Sequence, residues 1–340
     1  MPLTQAHFAG FFYALFFMRY NKSALTTDQL IARLEQRGLN IEDKERAVKY
    51  LELVGYYRLT GYMYHLQSND GSHKFKEGIY FNDIIDTYQF DKKLRYLFAE
   101  YIEQVEVAMR ALLTNNYAPV YGFLWYTENR HYDKPTPLNP EVRKEMEAQG
   151  KKIPRKYTDV HKYIIDCLKE SFSTATELFI VKFKRNYSAE QFPPSNMAME
   201  ILSMGKLAKL YESLKSCKER DAISNIFGLP HIILASWLIF LTNVRNICAH
   251  HSRLWNRRIT ADQFACPSKK SCKFNGELPD NFNTTVYGTL SVLIRLLDTI
   301  NPNNNLLGKF KTLIKEYPKI NMVYMGFPTG WEENAAWLKR

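Results

Sequence analysis

The sequence predicts an all-α protein, on three observations. Apolar residues recur at spacings of three and four, no long run alternates apolar with polar residues, and Pro, Gly and Asn fall between the periodic segments. At 340 residues, 46% of them hydrophobic, the chain can bury a large core and is too apolar to remain disordered. It contains no internal repeat.

The first segment is the apolar run from Phe8 to Met18. No basic residue precedes it, no small-residue cleavage pattern follows, and it is too short to span a bilayer. The expectation is a short buried helix, or translation that begins at Met18 with residues 1–19 as an N-terminal extension. No membrane role is expected.

Residues 20–75 read as an N-terminal helical module. Thr27 and Asp28 can cap a helix carrying Leu30, Ile31 and Leu34, which Gly38 stops. A second helix with Ala47, Val48, Leu51 and Val54 on one side runs into Gly55–Tyr62. Residues 76–310 form the expected core. Its longest helix spans about 82–115, where Ile84, Ile85, Tyr88, Leu94, Phe98, Ile102, Val105 and Met109 share a face and Glu106 and Arg110 pair on the opposite side. Residues 119–160, rich in Pro and charge, predict a loop-rich insertion. Helices are expected at 159–184, 196–218, 230–257 and 282–300, punctuated by Pro193-Pro194, Pro230 and Asn301-Pro302. Residues 311–340 are expected to pack on this core.

The net charge of +11 is concentrated. Residues 151–185 hold nine Lys/Arg against four Asp/Glu, and residues 245–273 hold seven against one. Together these two surpluses equal the charge of the whole chain, so an anionic partner is expected, nucleic acid before membrane. Lys151, Lys152, Arg155 and Lys156 in the first segment are candidate RNA contacts; a solvated basic face is the plainer alternative. Five cysteines without scaffold spacing fit a reducing, cytoplasmic setting.

The second basic segment carries Arg245-Asn246-Ile247-Cys248-Ala249-His250-His251-Ser252-Arg253-Leu254-Trp255-Asn256-Arg257. On a helical period from Pro230, Trp237, Phe240, Leu241, Val244, Cys248, His251 and Trp255 share an apolar stripe. Asn246, His250, Arg253 and Arg257 share a polar one, with Arg245 beside it. His251, Cys248 and Trp255 are then structural, and His250 is the proton-transfer group. Histidine exchanges protons near neutral pH, and arginine grips phosphate through a planar fork. Asn246 can orient the imidazole or contact a ribose. The combination suits RNA cleavage without metal, in which a 2′-OH attacks its own phosphate. A basic helix end with satisfied histidines is the alternative.

Spacing alone is weak, since an Arg also precedes a His at similar distance at Arg58–His65 and Arg155–His161. Only the site at 245 adds the amide, a second His and further arginines. Cys248, His250, His251, Cys266 and Cys272 match no common zinc spacing, so no metal and no cofactor is expected.

These residues resemble the Abi-like (AbiD/AbiF) abortive-infection family of the HEPN superfamily. The resemblance rests on Leu34–Leu39, Gly55–Tyr62, Phe90-Asp91-Lys92-Lys93-Leu94-Arg95 with Glu103, Glu106 and Arg110, the segment Arg245–Arg257, and Met325-Gly326-Phe327-Pro328 with Trp331 and Trp337. It implies a HEPN-like helical bundle and an Arg-polar-x(3–5)-His motif at Arg245, Asn246 and His250. One copy per chain implies a homodimer with a shared cleft. It also implies an endoribonuclease of phage defence or of a toxin–antitoxin system, in some members restrained by a small RNA. A non-catalytic RNA-binding or sensor protein is the alternative.

Overall fold

The computed structural model describes residues 23–135, 138–151, 158–333 and 335–338. Helices dominate, and among the described residues backbone pairing is limited to isolated bridges such as Gln67 with Phe75. The chain divides into two units, one up to Ile84 and one from Ile85 onward. The expected N-terminal extension lies outside the described residues.

In the first unit, α1 (Thr27–Gln36) is capped one residue earlier than expected. Thr26 accepts from the Gln29 amide at 3.3 Å, and the Gln29 side chain accepts from the Thr26 amide at 2.9 Å. This reciprocal pairing satisfies two donors that the first helical turn leaves open. Gly38, at φ 87°, ends the helix by turning left-handed, so that Leu39 N–H reaches Leu34 C=O. Asp43 caps α2 (Lys44–Tyr50), which continues as a π-helical turn, Leu51–Gly55, into α3 (Tyr56–Thr60).

The long helix α4 (Phe81–Tyr121) outruns the expected 82–115 and carries Pro119 in its last turn. Glu106 and Arg110 are not on a solvated side. Arg110 binds Glu106 at 2.6 Å and also donates to the Met199 and Leu202 carbonyls, both at 3.1 Å. A long cationic fork thus ties α4 to the open end of α8 (Ser195–Ile201).

The expected insertion is less loop-like than its prolines suggest. It contains α5 (Pro140–Ala148), with Asn139 as cap and Pro140 at the first position, where its missing N–H costs nothing. The expected helix 159–184 breaks into α6 (Val160–Thr174) and α7 (Leu178–Asn186). Lys184 reaches back to the Ser173 carbonyl at 3.3 Å, so part of the basic segment closes a helix end. The expected helix 196–218 breaks after α8, where Ser203 caps α9 (Met204–Ser213). A further helix, α10 (Lys218–Ile226), follows.

At the centre of the second unit, α11 (His231–Ala249) packs along α9. Gly205 makes this approach possible: a Cβ there would lie 3.2 Å from Thr242 Cγ2. Among the described residues α11 alone is long and apolar enough to cross a membrane. It buries Leu234, Trp237, Leu238, Phe240, Leu241 and Val244 inside the protein, as a core helix does. Later in the chain, α12 (Val286–Ile300) is buried at eleven of its fifteen positions. Beyond it, α13 (Leu306–Glu316) and the C-terminal segment close the unit through rings. Phe327 stacks 5.5 Å from Phe310, and Trp331 and Trp337 pack beside Tyr287 and Phe310.

Candidate active site at the end of the central helix

Pro230 stands just before α11 and fixes its start. The helix ends at Ala249, eight residues short of the expected 257. His250 closes it, and His251 turns left-handed at φ 54°. The His251 amide then reaches Cys248 C=O at 3.1 Å, and the Ser252 amide reaches Ile247 C=O at 3.0 Å. These two bonds define a Schellman cap, here built on a histidine where glycine is the usual choice.

This ending corrects the helical stripes drawn through the segment. Past Ala249 the helical period no longer governs which side a residue faces. His251 is exposed, not on a packing face. Cys248 and Trp255 are buried as expected, but Trp255 reaches the core through the loop.

The loop is held by a buried carboxylate. Asp91, fully buried on α4, pairs with Arg95 one turn later and accepts the amides of Leu254 at 3.1 Å and Trp255 at 2.6 Å. Further on, Ile259 N–H bonds Thr284 C=O at 2.8 Å, and the Asn243 amide donates to Ala261 C=O at 3.1 Å. The chain therefore folds back beside the last turns of α11. Asn256 and Asp262, both at φ 49°, supply the bends.

Between helix end and returning loop lies a cleft of about 330 Å³. It is lined by Asn243, Asn246, Ile247, His250 and Ser252 from one side and by Arg257, Arg258 and Ile259–Ala261 from the other. Of the expected residues, Asn246, His250 and Arg257 come together. Arg245 is exposed beside the cleft, its guanidinium 3.5 Å from the Asn246 side-chain oxygen. Arg253 is half-buried and does not line it. The His250 backbone N–H donates to the Asn246 carbonyl at 2.9 Å, and among the described residues no side-chain hydrogen bond joins the two. Lys151 is exposed, well apart in sequence, whereas Lys152, Arg155 and Lys156 lie outside the described residues.

Among the lining residues not anticipated are Asn243, Ser252 and Arg258. Asn243 precedes Asn246 by three and His250 by seven, so its place was readable from the helical period. Ser252 and Arg258 depend on the path after the helix ends, which no periodicity encodes. None of the described lining residues is a carboxylate, while two arginines and a histidine face the space. Two guanidinium groups and an imidazole make this lining complementary to an anion.

Cys248 does not contribute a nucleophile. Burial pushes its thiol up to about 12, partly offset by the nearby Arg95 guanidinium. Cys272 is also buried, and its thiol donates toward Lys269 C=O at 3.6 Å. Among the described residues no three His, Cys, Asp or Glu converge as a metal-ligand set. His161, one of the chance Arg-to-His pairings, is engaged with the Thr127 carbonyl at 2.8 Å.

The model of the family described as Abi-like protein matches residues 49–256. The match takes in α4, α11 and the loop to Asn256. No curated protein and no solved structure matches the chain.

Proposed function

This chain belongs to the Abi-like protein family, and from that premise and the cleft we propose that it is a metal-independent endoribonuclease acting in abortive infection or as a toxin. The observation that carries this reading is the convergence of Asn246, His250, Arg257 and Arg258 on one cleft that, among the described residues, no carboxylate lines. RNA cleavage of this kind needs a base, an acid and cationic support for the phosphorane. The base takes the 2′-OH proton, and the 2′-oxygen bonds to phosphorus as the P–O5′ bond breaks. The acid then supplies a proton to the departing 5′-oxygen. His250 can serve in either proton-transfer role. Arg257 and Arg258 offset charge on the phosphoryl oxygens, and Asn246 offers hydrogen bonds to ribose, while the Asn243 amide N–H groups are held by Ala261 C=O and Asp262.

Among the described residues one chain presents a single histidine in this cleft, and in this reading the second proton-transfer group comes from another copy. A homodimer with a HEPN-type shared cleft is part of the proposal, as are a cytoplasmic setting and restraint by a small RNA. In the proposed dimer the exposed Arg245, beside the cleft, acts across the interface.

The test is incubation of purified protein with RNA in the presence of a chelator, with end-group analysis of the products. New ends carrying 2′,3′-cyclic phosphate are expected. RNA that is bound but left intact would instead favour a non-catalytic sensor, whose affinity would still fall with salt.

A further inference from the structure

A second cleft, of about 380 Å³, shares Arg257 and Arg258 with the first. The two arginines therefore form a wall between neighbouring spaces. The second cleft is also lined by Tyr324, Met325, Gly326, Phe327 and Pro328, and by Asp280. Gly326 is needed there for two reasons: its φ is 83°, and a Cβ would lie 2.6 Å from the Thr285 side chain. Tyr324 is 39% exposed, and its ring packs on the buried Trp255 with centroids 5.8 Å apart and planes inclined by 67°. A ring held in this way offers a flat apolar surface without having to be ordered first, which is how single-stranded bases are received.

We infer that this second cleft is a base-recognition subsite for the nucleotide next to the one whose phosphate lies on Arg257 and Arg258, and that it selects guanine through Asp280. The inference rests on the RNA reading above and adds its sequence preference. Asp280 is exposed and makes no salt bridge among the described residues, despite the arginines in the same cleft. An ionised carboxylate offers only acceptors. The Watson–Crick edge of guanine presents two adjacent donors, N1–H and the N2 amine, which one carboxylate can accept together. Adenine and cytosine set a ring-nitrogen acceptor beside their amine, and uracil flanks its one donor with two carbonyls. Each of these brings a lone pair against the carboxylate.

The test uses the full chain and two DNA pentanucleotides that cannot be cleaved because they lack the 2′-OH, one all-thymine and one with a central guanine. Fluorescence polarisation is expected to show about tenfold tighter binding of the guanine probe, the scale of one bidentate pair. Asp280→Ala should abolish that ratio while retaining binding of the thymine probe. Tyr324→Ala should weaken both probes and keep a preference. Equal binding of the two probes by the wild-type protein, or an unchanged ratio in Asp280→Ala, overturns the inference. RNA cleavage that persists alongside equal binding counts against the subsite alone. Guanine preference without any cleavage counts against the ribonuclease reading alone.

Discussion

The carboxylate of Asp91 accepts the backbone N–H of Trp255 at 2.6 Å, joining residues 164 positions apart. The same oxygen accepts Leu254 N–H, and the other oxygen holds Arg95. Sealed from water, this arrangement fixes where the loop leaves the end of α11 and hence where Arg257 and Arg258 stand against His250.

Removing that anchor should be costly. Asp91→Ala leaves a buried guanidinium and two buried amides without their acceptor, and is expected to lower the unfolding free energy by about 3–5 kcal/mol. Denaturant unfolding measures this. A loss under about 1 kcal/mol would show that the loop holds its path by other means.

His251 gives a test of backbone against side chain. At φ 54° a non-glycine residue is strained, so His251→Gly should leave stability unchanged or raise it by up to about 1 kcal/mol. His251→Val, β-branched in the same conformation, should lower it by about 1–2 kcal/mol. Equal stability of the two variants would mean that the turn does not depend on this conformation.

Gly326 should tolerate no side chain. Gly326→Ala adds left-handed strain and a Cβ 2.6 Å from Thr285, with an expected loss of about 2–4 kcal/mol by thermal or denaturant unfolding. A variant as stable as wild type would contradict the close approach.

The arginine wall predicts a salt signature. Arg257→Ala and Arg258→Ala should each weaken RNA binding across sequences and reduce the slope of log affinity against log salt by about 1. An unaltered slope in both variants would remove these residues from phosphate contact.

Cys248 sets an alkaline limit. Burial raises its thiol to about 12 in the folded protein, from an ordinary value of 9.0. Between these values the folded chain keeps a proton that the unfolded chain has released, so the stability tied to this group is complete below pH 9 and declines towards pH 12. Cys248→Ala should flatten that part of the pH–stability curve. An identical alkaline decline in wild type and variant would argue that Cys248 is not desolvated.

Long periodic stretches were legible in the sequence because burial imposes the period: Ile84, Ile85, Leu94, Phe98, Ile102 and Val105 are all buried along α4. Breaks were less legible. The stop after Ala249 is carried by a left-handed histidine, whereas Gly38 announced the end of α1 openly. The polar breaks at Ser203 and Thr176–Glu177 interrupt apolar patterns that continue in phase on either side. Leu306, Phe310 and Leu313 did carry the period of α13, and Lys218–Ile226 offered a weaker one because only Ile223 and Ser224 are buried. At the site, Asn246 and His250 came from one helix and were readable by spacing. Arg257 reaches the same cleft by the loop's return and not along a helix face. Ser252, Arg258 and the role of Asp91 depend on tertiary closure, which spacing does not contain.

The most direct measurement is RNA cleavage by wild-type and His250→Ala protein, compared at matched stability. His250 is exposed at the end of α11 and supports little packing. The variant should therefore unfold like wild type and lose at least about 100-fold in cleavage rate, the lower range for a proton-transfer group. Undiminished cleavage by a fully folded His250→Ala protein would contradict the account.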